Sequence, residues 1–250
     1  MKVDQTDSTN SLMKELLAKG EWPEGENFIY AGYQTAGRGQ TGNGWESEAG
    51  KNLLCSILLP PKKNLFELNV AVSVAVYRVI RSVLCQRSGL CSVLSIKWPN
   101  DIYWKDQKVA GILIETAIVG NEIKYAIAGI GLNVNQTEWK TDAPNPISLK
   151  QIYGTDFVVD ELMQRLYTEV QKALKEDVWA EYKAHLYRAD GFWPFVEREV
   201  STAPTMNAEH GQEGIFMARI EDILPTGEIV LRDINGKQRK YHYKQIRYVV

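Results

Sequence analysis

The sequence is poor in the residues that staple small secreted folds or hold metals. Three cysteines (Cys55, Cys85, Cys91) and three histidines (His185, His210, His242) are scattered over 250 residues. The cysteines are odd in number and form no Cys-x-x-Cys pair, so reduced, buried thiols are expected rather than disulfides. The histidines stand far apart without metal-ligand spacing, which argues against a zinc site. No apolar run approaches the ~18 residues of a membrane span, and the start, Met1-Lys2-Val3-Asp4, has no signal-peptide apolar region. A formal net charge of −2 gives no global basic field for nucleic acid. We therefore expect a globular, cytoplasmic protein with neither membrane nor nucleic acid among its partners.

What is present reads as two units. The oxygens of Asp7-Ser8-Thr9-Asn10 can cap a helix carrying Leu12, Met13, Leu16 and Leu17 and closed by Gly20. Residues 28–34 and 53–59 read as strands, and 65–84 as a long helix whose Val and Ala content suits packing on a sheet. Short strands over 93–98 and 101–104 follow. The runs 109–119 and 123–134 flank Gly120-Asn121, a hairpin signal. Residues 160–174 read as a helix, with another through about 187. This pattern predicts an α+β domain on a mostly antiparallel sheet over 1–190. From Phe195 onward only short alternating strands and turns occur, so 191–250 is expected to be a small β-barrel or sandwich.

The first chemical candidate is the loop Gly37-Arg38-Gly39-Gln40-Thr41-Gly42-Asn43-Gly44-Trp45. It satisfies G-x-G-x-x-G after a strand, but no helix opens at its third glycine, so the dinucleotide reading fails. A Walker loop fails too. Residues 44–51 place five residues between the glycines where four are needed, and Asn52 replaces the metal-binding hydroxyl. What remains is a loop whose backbone N–H groups can approach an anion, one Arg able to pair bidentately with phosphate or carboxylate, and one flat aromatic face. A surface loop with a core-anchoring Trp explains the same residues.

The second candidate is Lys97-Trp98-Pro99-Asn100-Asp101, followed by Lys108-Val109-Ala110-Gly111 and Glu115. The first segment offers a cation, an amide able to read a base edge and a carboxylate able to hold Mg²⁺. A structural turn accounts for much of it, and Lys108 alone could be an edge charge. Gly129 and Gly131, inside a strand, mark a bulge or a close ligand approach.

In that order and combination, these segments resemble the biotin protein ligases. The resemblance runs through Asp7 to Asn10, Gln34 to Gly39, Gly42 to Trp45, Lys97 to Asp101, Lys108 to Glu115 and Gly129 to Asn133, about half the chain. It implies a class II synthetase-like catalytic fold and an SH3-like barrel. It also implies two reactions: biotin and Mg·ATP give biotinyl-5′-AMP and pyrophosphate, and a lysine of a biotin carboxyl carrier domain then takes the biotinyl group. Because biotin's carboxylate is itself the nucleophile, the enzyme must mainly position reactants and neutralise charge.

By the same resemblance, Ser8, Thr9, Asn10 and Gln34 would bind the ureido ring of biotin, with Gly37, Arg38, Gly111, Gly129 and Gly131 lining its pocket. Arg38, Lys97 and Lys108 would stabilise carboxylate and phosphate oxygens. Gln40, Asn43, Trp45, Asn100 and Asn133 would meet the adenylate, and Asp101 the metal or the incoming lysine. A lipoate-attaching ligase is the nearest alternative. Many relatives carry arginines where this chain has Gln40 and Asn43, so a looser hold on the adenylate is expected. Only six residues precede Asp7, too few for the DNA-reading domain of some relatives, so no operator binding is expected. An exposed edge of the main sheet could pair in a homodimer.

Overall fold

The computed structural model of the protein describes residues 1–40, 43–61, 64–119, 122–140, 145–198 and 214–249. The chain begins with β1 (Lys2–Thr6), α1 (Thr9–Lys19), β2 (Phe28–Gln34), β3 (Leu53–Leu59) and α2 (Leu65–Leu84). After a short 3-10 turn come β4 (Leu94–Lys97), β5 (Asp101–Trp104), β6 (Gln107–Val119) and β7 (Glu122–Leu132). Three helices, α3 (Leu149–Tyr153), α4 (Val159–Ala173) and α5 (Trp179–Ala184), lead to β8 (Trp193–Glu197). The chain ends on β9 (Ile215–Ile223), β10 (Ile229–Asp233), β11 (Gln238–Tyr241) and β12 (Ile246–Tyr248).

Seven strands form the main sheet in the order β1-β2-β3-β7-β6-β5-β4, and every pairing is antiparallel except β1 with β2. Strand alternation sorts its two faces. Leu53, Cys55 and Ile57 of β3, with Ala128 and Ile130 of β7, join Val72, Val76 and Ile80 of α2 in the principal core. The opposite face of the same strands carries Ser56, Gly129, Gly131, Gly111 and Leu113, cross-paired as Ser56↔Gly129, Gly111↔Gly131 and Leu113↔Gly129. That face is covered at one end by α1, where Met13 packs on Ile29 and Ile127. Where α1 stops and glycines replace side chains, a hollow opens.

A second, five-stranded sheet in the order β11-β10-β9-β8-β12 follows. It docks through the turn at Gly227, whose φ of +93° suits glycine and whose missing Cβ leaves room for Phe66. The Trp98 indole donates to the Gly227 carbonyl at 3.1 Å, and Asn64 of the α2 cap donates to Pro225 at 3.0 Å. The second sheet therefore leans directly on the Lys97–Asp101 turn.

One expectation needs correction. Cys55 is buried and free, but Cys85 and Cys91 form a disulfide, with Cα atoms 5.1 Å apart. The chain reverses after α2 and brings them together, which a spacing of six residues does not announce. Residues 2–6 form an edge strand despite their polarity, because the Met1 ammonium is anchored on Glu26 at 2.7 Å and on the Phe28 carbonyl at 2.8 Å. The hairpin tip Gly120-Asn121 lies outside the described residues, although β6 and β7 do pair antiparallel on either side of it. No helix among the described residues is long and apolar enough to cross a membrane.

Candidate active site

The hollow on the glycine face is a narrow pocket of about 140 Å³ that opens into a wider cleft of about 920 Å³ under the second sheet. Ser8, Thr9, Asn10 and Gln34 line the pocket, together with Gly111, Gly129 and Gly131. Ser8 is the N-cap of α1, yet its side chain makes no capping bond, so its hydroxyl is not committed to the helix end. Gln34 Oε1 accepts from the Thr9 backbone N–H at 2.8 Å and from the Thr9 hydroxyl at 3.0 Å. Ser56 Oγ lies 2.8 Å from Thr9 Oγ1 and donates to Asn10 Oδ1 at 2.5 Å.

The three glycines act in a way the sequence did not reveal. A Cβ on Gly131 would come within 2.3 Å of the Trp45 ring, and one on Gly111 within 2.9 Å of it. A Cβ on Gly129 would meet Asn10 Oδ1 at 2.6 Å. What approaches the backbone closely is thus the protein's own Trp45 and Asn10, which become the pocket walls. Trp45 hangs from a tight loop in which Gly39 N donates to Asn43 O at 2.7 Å and Trp45 N to Gly37 O at 2.9 Å. Gly42 of this loop lies outside the described residues.

Arg38 lines the pocket, Lys97 the cleft, and Lys108 both. Lys108 Nζ lies 2.7 Å from Asp101 Oδ1 and 5.7 Å from the centre of the Trp45 ring. Arg38 Nη2 lies 3.1 Å from Glu115 Oε2. Lys97 donates to the Tyr103 hydroxyl at 3.0 Å and sits over the rings of Tyr103 and Tyr248, at 4.4 and 5.3 Å. Burial beneath these rings, with Lys108 and Arg188 adding repulsion, brings the Lys97 ammonium down to about 8. Cys55 touches the pocket, but burial pushes its thiol far above the usual range, so it is no nucleophile. Among the described residues, neither lining contains a histidine.

The remaining expected residues divide. Gln40 lines the pocket, Asn43 both cavities, and Gly37, Lys97 and Asn133 the cleft. Asn133 Nδ2 is spent on the carbonyls of Lys108 and Ile147, but its buried Oδ1 has no partner among the described residues. Asn100 is turned away: its Nδ2 donates to Ile112 O at 2.8 Å, and its Oδ1 accepts from Gln40 at 3.0 Å. Among the described residues no group of three or more His, Cys, Asp or Glu could hold a metal, and Asp101 is already paired with Lys108. Sequence reasoning missed Ser56, whose signal was a lone hydroxyl inside the apolar strand β3, and named Glu115 without giving it a role. It also missed Trp139 and Tyr248 in the cleft, for which the sequence carries no local signal.

A model of the biotin/lipoate A/B protein ligase family matches residues 3–133, more than half of the chain. The chain belongs to that family. Among members of this ligase family, the bifunctional ligase/repressor BirA of Bacillus spizizenii is 36% identical over 136 residues, 53% of this chain and 39% of that protein. The biotin–[acetyl-CoA-carboxylase] ligase of Mycobacterium tuberculosis is 28% identical over 242 residues, 94% of this chain and 83% of that protein. The chain spans less than two thirds of the first curated relatives it matches, 39% of the Bacillus subtilis BirA and 55% of the Escherichia coli one. The solved structure of the biotin protein ligase from Aquifex aeolicus, in complex with biotin and ATP, superposes with a TM-score of 0.76 at 21% identity. That likeness covers 100% of this chain and 98% of the other, and it establishes the α+β fold with its second small sheet.

Proposed function

We propose that the protein is a biotin protein ligase that joins biotin to ATP and passes the biotinyl group to a lysine of a biotin carboxyl carrier domain. The observation that carries this reading is the junction of a pocket built from hydrogen-bonding side chains with Arg38, Lys97 and Lys108, beside a buried Cys55 whose thiol is no nucleophile. The names of the Mycobacterium tuberculosis relative and of the Aquifex aeolicus complex support the same substrates.

In the first step a carboxylate oxygen of biotin attacks the α-phosphorus of ATP. An O–P bond forms, the α–β phosphoanhydride bond breaks, and pyrophosphate leaves. The pocket residues Ser8, Thr9, Asn10 and Gln34 orient the ureido ring so that the carboxylate points to the cleft. Lys108 and Arg38 offset the charge that grows on the transferring phosphoryl oxygens, and Lys97 does so while protonated. Magnesium enters as the ion of the substrate Mg·ATP, with Asp101 as its candidate carboxylate, since Mg²⁺ is commonly held by one or two carboxylates and substrate phosphates. In the second step the carrier lysine's amine attacks the acyl carbon and AMP leaves.

The test is pyrophosphate release that requires both biotin and ATP, followed by mass transfer of biotin to an isolated carrier domain. Equal activity with lipoate, or none with biotin, rejects the reading. A cytoplasmic location suits an ATP-dependent reaction. A homodimer, if formed, would use β1, because the outer edge of β4 is occupied by bonds from Ile96 to the backbone of His185 and Tyr187. Sedimentation of the β1 variant Val3→Pro against wild type tests that arrangement.

A further inference from the structure

Glu115 is a carboxylate on the pocket face of β6, two residues beyond Leu113 and four beyond Gly111. Its Oε2 accepts from Asn10 Nδ2 at 2.7 Å and from Arg38 Nη2 at 3.1 Å, while Oε1 accepts from Lys14 at 2.6 Å. Burial alone would raise this carboxyl, but Lys14, Asn10 and Arg38 together hold it below the ordinary glutamate value. It thus stays an anion that can only accept hydrogen bonds.

That property settles which way Asn10 faces. An asparagine amide has one donating and one accepting end, and only the donating end can meet a carboxylate. With Nδ2 turned to Glu115, Oδ1 must face the Ser56 hydroxyl, which lies 2.5 Å away. The amide has no room to escape, because it lies against Gly129 at a distance that no Cβ would permit. The same carboxylate ties Arg38, carried on the glycine-rich loop, to the sheet.

We propose that Glu115 is a positioning residue that couples the two halves of the site, setting the amide of Asn10 on the biotin side and the guanidinium of Arg38 on the phosphate side. This rests on the ligase reading above. Lys14 supplies the control. It touches the same carboxylate from one turn further along α1 and lines neither the pocket nor the cleft. If Glu115 merely pins α1 through charge, removing either partner should have the same consequence.

The experiment measures biotin- and ATP-dependent pyrophosphate release for wild type, Glu115→Gln, Glu115→Asp and Lys14→Gln, with melting curves for each. A glutamine can turn its own NH₂ toward Asn10 and so permits both amide orientations. Glu115→Gln is expected to raise the KM for biotin about tenfold and lower kcat about tenfold, with the KM for ATP within about twofold of wild type. Lys14→Gln is expected to stay within about twofold on every parameter. Glu115→Asp keeps the charge but loses reach, and should fall between wild type and Glu115→Gln. Matching kinetics for Glu115→Gln and Lys14→Gln, or an unchanged biotin KM in Glu115→Gln, would overturn the positioning role. Should Glu115→Gln not fold, an unchanged biotin KM in Glu115→Asp would overturn it equally. Absence of release from the wild type itself would instead sink the ligase reading.

Discussion

The pocket and the cleft share Trp45, Asp101 and Lys108 but are built on opposite principles. In the pocket, buried polar groups are bonded to one another: Thr9 to Gln34, Ser56 to Asn10, Asn10 to Glu115. In the cleft, Trp45 Nε1, Asn133 Oδ1, Trp139 Nε1 and the Tyr248 hydroxyl are buried without a partner among the described residues. A buried polar group left unpaired costs about 1–3 kcal/mol, so natural structures seldom keep several together unless something else satisfies them. A rigid, self-bonded pocket suits a small ligand of fixed shape. A wide cleft flanked by Lys97 and Lys108 suits a larger anionic ligand, as a nucleotide would be.

The sharpest way to break the junction between them is Lys108→Ala. Lys108 is partly exposed, so the fold should persist, but Asp101 would face the cleft uncompensated. We expect adenylation to fall about a thousandfold, as when a charge-stabilising group is removed from a preorganised site. Near-normal pyrophosphate release in a variant that melts like wild type would refute the role given to Lys108.

Gly129→Ala should damage the pocket while sparing the cleft. Its methyl would lie 2.6 Å from Asn10 Oδ1 and 2.9 Å from Asn10 Cγ, forcing the amide off both Ser56 and Glu115. Biotin affinity is expected to drop about a hundredfold, because a site built to hydrogen-bond its ligand discriminates steeply once those bonds are lost. ATP affinity should change little. Calorimetric titration with each ligand separates the two, and parallel losses would show that pocket and cleft are not independent.

Lys97 offers a test on the cleft side through pH. Its pKa is lowered to about 8, so the ammonium is present below that pH and is lost above it. Half of the cation is present at the pKa and about a tenth one pH unit above it, so adenylation should decline about fivefold between pH 8 and 9. Stability moves the other way. The unfolded lysine keeps its proton up to its ordinary value near 10.5, so between about 8 and 10.5 the unfolded chain binds more protons and the folded state gains stability with rising pH. Lys97→Met should abolish both slopes. Activity and stability that fall together above pH 8 would contradict the assignment.

This contrast also explains what could be read in the sequence. Long periodic runs such as α2 and β3 announce themselves, because burying one face or both requires the pattern. Gly111, Gly129 and Gly131 announced a close approach but not its author. That depends on Trp45 and Asn10 arriving through space from residues far away in the chain. Tyr248 reaches Lys97 only because the second sheet folds back onto β5, and β1 escaped notice because an edge strand needs no apolar alternation. The disulfide between Cys85 and Cys91 was hidden for the same reason as the pocket walls: the fold, not the spacing, makes them neighbours.

The smallest effect is expected at Gln40. Fewer loop cations suggested a weaker hold on the adenylate, yet Gln40 Nε2 donates to Asn100 Oδ1 at 3.0 Å and fastens the loop to the turn after Pro99. A neutral hydrogen bond thus ties the loop to the sheet. An arginine in its place could keep the bond to Asn100 and add a charge, partly exposed and therefore screened by salt. Gln40→Arg should thus slow release of biotinyl-5′-AMP about threefold at low ionic strength and hardly at all in 0.5 M salt, where about 4 Å of screening length remains. Asn100→Ala should speed release at both ionic strengths by freeing the loop. If Gln40→Arg slows release equally at both, the gain comes from geometry rather than charge; if Asn100→Ala leaves release unchanged, the loop is held by Trp45 on the glycine face alone.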